Sequence, residues 1–109
     1  MTVITVFRKG GRLVGFDAVG HADYADAGED IVCAAISAVT QTAVLGITEL
    51  IGCSAAFEME DGCLRLMLDG SVEDEQWQRA ELILGTMLVG LRSIQDEYCD
   101  YLKLIEREV

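Results

Sequence analysis

The chain contains no proline, so Pro-rich linkers and polyproline ligands are excluded, and its eleven glycines must supply the punctuation. Cations are scarce. Eight Lys and Arg stand against nineteen Asp and Glu, a net charge of −11. A surface this acidic repels phosphate backbones and anionic lipid, so direct nucleic-acid and membrane partners are not expected. It welcomes a basic protein or peptide, although acidity alone also keeps a protein soluble. Histidine occurs once, and the four cysteines, Cys33, Cys53, Cys63 and Cys99, include no Cys-x-x-Cys pair. A zinc site is therefore poorly supplied with ligands, and no metal or other cofactor is expected. Disulfides are not expected either. The chain opens directly on the strand-like Thr2–Arg8, so the expected setting is a reducing cytoplasm without a secretory leader.

What is present fits one domain over residues 1–109, with 51% hydrophobic and 25% charged residues. Thr2–Arg8 and Arg12–Val19 read as a hairpin around Lys9-Gly10-Gly11. Ala55–Glu60 and Cys63–Asp69 alternate apolar and polar residues around Asp61-Gly62, a second hairpin. Ile31–Ile51 has one charged residue, Glu49, and reads as a helix. Its length would permit a membrane span. Ser37, Thr40, Gln41, Thr42 and Thr48, and flanks without a Lys/Arg bias, favour a helix buried in a soluble protein.

Val72–Val109 reads as one long helical pattern, with an apolar stripe from Trp77 to Ile105. Ser71 with Asp74 resembles a capping box. At 1.5 Å per residue such a helix would span roughly 55 Å, against a radius of gyration near about 13 Å for a domain of this size. A break near Gly85 or Gly90, or a helix reaching a partner subunit, is the expected resolution. The stripe is one candidate for a dimer contact, and ordinary core packing is the other. The order β-β-α-β-β-α then makes an α+β domain, an antiparallel sheet covered by helices.

The segment Gly20–Asp30 (GHADYADAGED) resists a purely structural reading. It holds four acids and the only histidine, and it runs into Ile31-Val32-Cys33. Asp30 is a good helix N-cap, which places Cys33 in the first turn. There the free N–H groups and the helix dipole favour an anion, and the thiolate is the reactive form of cysteine. Cys33, Ser37, Thr40 and Gln41 share one polar stripe of the helix, as if lining a cleft. Back-bonding of Ser and Thr to the helix is the bland alternative. His21 lies twelve residues before Cys33, and the loop between them can deliver an imidazole to the thiol. A Cys–His dyad with an orienting carboxylate, Asp30 or Asp26, is the arrangement of thiol hydrolases. Backbone N–H groups at the helix start, with Ser37 second, are candidate oxyanion donors. Gly20 and Gly28 are candidate hinges of a substrate loop, and Tyr24 either walls a pocket or anchors that loop.

The run GHADYADAGEDIVCAAISA, Gly20–Ala38, closely resembles the signature of the ribosomal-processing cysteine protease family, with Gly-His-Ala, Tyr-Ala and Gly-x-Asp-Ile-Val-Cys-Ala-Ala-Ile-Ser at matching spacing. The resemblance implies a cytoplasmic endopeptidase that removes an N-terminal extension from a large-subunit bacterial ribosomal protein. It implies Cys33 as nucleophile and His21 as general base and acid. It also implies a four-stranded antiparallel sheet packed between helices, a homodimer, and a mobile loop from Gly20 to Gly28 that closes over substrate. Cleavage would follow an aromatic residue. Two rival readings stand beside it. One is a non-catalytic ribosome-assembly module that binds a basic ribosomal protein. The other is a thiol redox sensor, disfavoured by the lack of a nearby resolving cysteine.

Overall fold

β-Branched residues at Val3, Ile4, Thr5 and Val6 favour an extended chain, and they form β1 (Thr2–Lys9). Gly10 and Gly11, both at positive φ, turn the chain into β2 (Arg12–Val19). The computed structural model describes residues 1–26 and 28–109. Ala27, inside the expected mobile loop, lies outside the described residues. Helix α1 (Ile31–Leu45) follows and runs on through a π turn at Gly46–Ile51. Gly52, in the left-handed region, ends it. The second hairpin is β3 (Ala55–Glu60) and β4 (Cys63–Leu68). Then come α2 (Asp74–Glu97) and β5 (Leu102–Glu108).

The class is α+β, as expected, but the sheet has five strands in the order β3-β4-β2-β1-β5. Four are antiparallel neighbours. The fifth, β5, lies parallel to β1 with Thr2 opposite Leu102. The expected helix to the C-terminus is therefore corrected. Helix α2 passes unbroken through Gly85 and Gly90, stops at Glu97, and the chain turns back along the sheet edge. At 24 residues it is about 36 Å long, which the 42 Å long axis of the molecule accommodates. The expected capping box is also absent. Ser71 N–H donates to Asp69 instead, and the helix starts beyond Glu73 without a side-chain cap.

The sheet is not sandwiched between helices, because both lie on one face. Register places Ile4 opposite Ala18, Val6 opposite Phe16, and Phe16 opposite Leu66. These share a face with Leu64 and Leu102, and that face joins Val32, Ile36 and Val44 of α1 and Leu84, Leu88 and Leu91 of α2 in one buried cluster. Ile31–Ile51 is long and apolar enough to cross a membrane by composition. In the fold, its inner residues Val32, Ile36, Ala43 and Ile47 belong to this core. Most of the Trp77–Ile105 stripe serves the same cluster through Ala80, Leu84, Met87 and Leu91.

Candidate active site

Two turns and a helix end meet at one end of the sheet. Asp30 caps α1 in extended conformation, and its Oδ1 accepts the N–H of Cys33 at 2.8 Å. Its other oxygen accepts Tyr24 N–H at 2.9 Å and Ala25 N–H at 3.4 Å. One carboxylate thus pins both the helix start and the loop before it. Partial desolvation pushes the Asp30 pKa up, but the N–H donors of Cys33, Tyr24, Ala25 and Val32 outweigh it and hold the pKa below the usual value. A lowered folded-state pKa stabilises the fold above the ordinary carboxylate range, and that contribution is lost as pH falls through the lowered value. We expect the Cys33 and Tyr24 amide protons to lose protection from exchange on acidification below about pH 4, ahead of Val6 and Phe16. Asp30→Ala should lose that protection already at neutral pH. Amide exchange measured by NMR checks both.

The loop is held at two further points. The Asp23 carboxylate meets the N-terminal ammonium of Met1 at 3.1 Å. The Tyr24 ring stands edge-on to Tyr98 and Tyr101, with centroids 5.7 and 5.1 Å apart. Tyr24 thus has the geometry of an anchor. Gly20 and Gly28 have φ of +90° and +86°, which L side chains rarely adopt. Gly20 also approaches Met1 so closely that a Cβ would lie 2.7 Å from its carbonyl oxygen.

His21 leaves the end of β2 and lies across the β3–β4 turn. Gly20 N–H donates to Gly62 O at 2.8 Å, which ties the two segments together. The imidazole packs against Gly62, where a Cβ would come within 3.1 Å of Nε2. Its Nε2 is 3.7 Å from the Asp61 carboxylate, an ion-pair distance rather than a hydrogen bond. Sequence reasoning missed Asp61 and Gly62, having absorbed both as turn residues. It looked for an orienting acid on the loop, at Asp30 and Asp26. Asp30 is committed to backbone donors, and Asp26 lines neither cavity at the site among the described residues.

Cys33 and His21 line the same cavity of about 290 Å³, together with Ser37, Gln41, Met59 and Gly62. A second opening on the loop side, about 530 Å³, is also shared by Cys33, His21, Ser37 and Asp61. Cys33 is half-buried and lines both. Of the polar stripe on α1, Thr40 is buried and its hydroxyl donates back to Ile36 O at 2.8 Å. Ser37 and Gln41 side chains have no partner among the described residues and face the thiol's cavity. The Cys33 N–H is already committed to the cap. Cys63 also lines this cavity, whereas burial pushes the Cys53 thiol pKa up and leaves it inert. Among the described residues no cluster of His, Cys, Asp and Glu is arranged to hold a metal ion.

Known proteins are similar to this chain in sequence and fold. The family model described as cysteine protease Prp matches residues 1–103. The ribosomal processing cysteine protease Prp of Bacillus subtilis is 31% identical over 94 residues, covering 84% of each chain. Its namesake from Staphylococcus aureus is 34% identical over 106 residues, covering 95% of this chain and 96% of that protein. The crystal structure of the S. aureus protease with a covalently linked product peptide superposes with a TM-score of 0.87 at 31% identity, over 98% of this chain and all of that one.

Proposed function

The chain belongs to the Prp family of ribosomal processing cysteine proteases, and from that premise we propose that it cleaves an N-terminal extension from a large-subunit ribosomal protein, with Cys33 as nucleophile and His21 as general base and acid. It is a cysteine endopeptidase. The observation that carries the residue assignment is the shared cavity: the only histidine and a first-turn cysteine face one open space.

The steps follow from those parts. His21 takes the proton from Cys33 Sγ, and the sulfur attacks the scissile carbonyl carbon. The resulting oxyanion needs donors, and Ser37 Oγ and the Gln41 amide are two that face the cavity with no other partner among the described residues. Collapse of the tetrahedral species breaks the C–N bond, and His21 gives its proton to the departing amine. Water then attacks the thioester, His21 takes its proton, and the thiol is restored with release of the new carboxylate. The loop between Gly20 and Gly28 is the element that admits substrate, with Tyr24 as its anchor.

The net charge of −11 favours encounter with a basic ribosomal protein and disfavours direct contact with RNA or anionic membranes. A cytoplasmic setting suits this substrate and four unpaired thiols. The homodimer contact belongs on the outer face of the helices. Leu50 is exposed at a groove between the two helices, and the exposed Leu82 and Val89 of α2 adjoin its lining residues Ile83 and Gly90 in sequence. The Trp77–Ile105 stripe is mostly occupied by the chain's own core.

Alkylation tests the reading. A peptide spanning the extension junction should be cut once, at that junction, as read by mass spectrometry. In a Cys99→Ser background, which removes the exposed thiol, iodoacetamide should abolish cleavage in step with modification of Cys33. Full activity after complete Cys33 modification would refute the assignment.

A further inference from the structure

Strand β3 is an edge strand, and among the described residues no strand pairs with its outer side. Two main-chain bonds fix which of its groups are free. Gly20 N–H donates to Gly62 O, and Asp69 N–H donates to Ser54 O. Antiparallel main-chain groups alternate sides along a strand. Even-numbered residues of β3, Ala56, Glu58 and Glu60, therefore turn their N–H and C=O groups to β4. Ala55, Phe57 and Met59 turn theirs away from the sheet.

Natural edges are usually blunted by Lys, Pro or a bulge. The other edge, β5, carries Lys103 and Arg107, and Glu106 on it is bonded to Arg8. Strand β3 (AAFEME) has no such device, and its register with β4 is unbroken. Its Phe57 and Met59 side chains are exposed and lie on the α1 side of the sheet. A groove between them and Gln41 and Val44 of α1 and Thr48 of the π turn shares Gln41 and Met59 with the cavity of Cys33 and His21. The six residues of β3 give an edge of about 20 Å. The open edge thus starts at the cavity that Cys33 lines and runs away from it.

We propose that this edge takes the substrate's main chain as a sixth strand, so that one flank of the scissile bond is held by Phe57 and Met59 backbone groups. Addition of an extended peptide to a sheet edge is a general recognition mode. Charge selects the occupant. Glu58 and Glu60 line the strand and Asp61 follows it. A second copy of this chain, at −11, would be repelled edge to edge, whereas a basic extended segment is attracted. This inference rests on the proteolytic reading only for the identity of the peptide.

The test reads binding and chemistry separately. Binding of a labelled junction peptide is measured by fluorescence anisotropy on Cys33→Ala enzyme, and cleavage on the wild type. The peptide is N-methylated at one residue at a time. Methylation at alternate residues of one flank should weaken binding about five- to tenfold, and at the intervening residues less than about twofold. Met59→Pro removes one free-edge donor that β4 does not use. It should weaken binding by a similar factor while leaving the melting temperature unchanged, and Met59→Ala should weaken it less. A flat methylation scan overturns the inference, and it does so even if Met59→Pro fails to fold. Cleavage with a flat scan sinks the strand docking and leaves the protease reading standing. Period-two binding without cleavage does the reverse.

Discussion

Cys33→Ala is expected to lower the rate of junction-peptide cleavage by about 10⁴- to 10⁶-fold, the scale seen when a covalent nucleophile is removed. Peptide affinity should change by less than about threefold, because the side chain lost is small and only half-buried. His21→Gln should cost about 10²- to 10⁴-fold, since proton transfer is impaired while the sulfur remains. The double variant should be no slower than Cys33→Ala alone. Without the thiol there is no proton for the imidazole to take, so the two losses do not add. His21 is about half exposed, so its substitution leaves no cavity in the core. Single-turnover kinetics with anisotropy on the same peptide separates rate from affinity. A Cys33→Ala enzyme that still cleaves, or a double variant much slower than either single one, would remove the dyad. Asp61→Asn should cost only a few-fold, because its carboxylate is almost fully exposed and its field is screened.

The contrast between Asp61 and Asp30 marks where local reasoning stops. Asp30 was legible as an N-cap because capping depends on residues three positions apart. The same pattern placed Cys33 in the first turn. That His21 can reach the cavity of Cys33 was legible from the length of the tether between them. Asp61 and Gly62 lie forty residues beyond His21 in the chain, and strand pairing alone brings them under the imidazole. The β2–β4 register that does so, Val19 opposite Cys63, depends on long-range pairing and has no local signal.

The two hairpins were legible for a similar reason. Gly10-Gly11 and Asp61-Gly62 are turn chemistry, and the flanking alternation is short-range. The C-terminal strand was not. Tyr98, Tyr101 and Ile105 continue the spacing of the α2 stripe, so helical periodicity runs on where the helix does not. What ends it is tertiary. Thr2 N–H donates to Tyr101 O at 2.9 Å, and the free edge of β1 pairs with Leu102–Glu108. The alternation Leu102, Leu104 against Lys103, Ile105 is compatible with either period, and β1 decides between them.

Leu102→Ala therefore distinguishes the strand from the helix that the spacing suggested. Leu102 is 1% exposed and sits in the cluster with Ile4 and Leu91. Truncation should destabilise the fold by about 2–5 kcal/mol, the range for removing a buried Leu. For a domain of this size that is a drop in Tm of roughly 10–30 °C. Lys103→Ala, one residue on and on the opposite face, should shift stability by less than about 0.5 kcal/mol. Its partner Val3 across β1 keeps its pairing, because only main-chain groups hold it. The Leu102 loss should also reach the site. Tyr101, its neighbour, holds the Tyr24 ring, and Tyr24 N–H is bonded to the acid that caps the Cys33 helix. Loosening β5 thus frees the loop at the end remote from its hinges. Cleavage by Leu102→Ala, assayed well below its Tm, should fall several-fold while that of Lys103→Ala stays unchanged. Calorimetry and the peptide assay on the pair measure both arms. Equal Tm values would return residues 102–108 to an exposed helix, and unequal Tm values with equal rates would sever β5 from the loop that carries Tyr24.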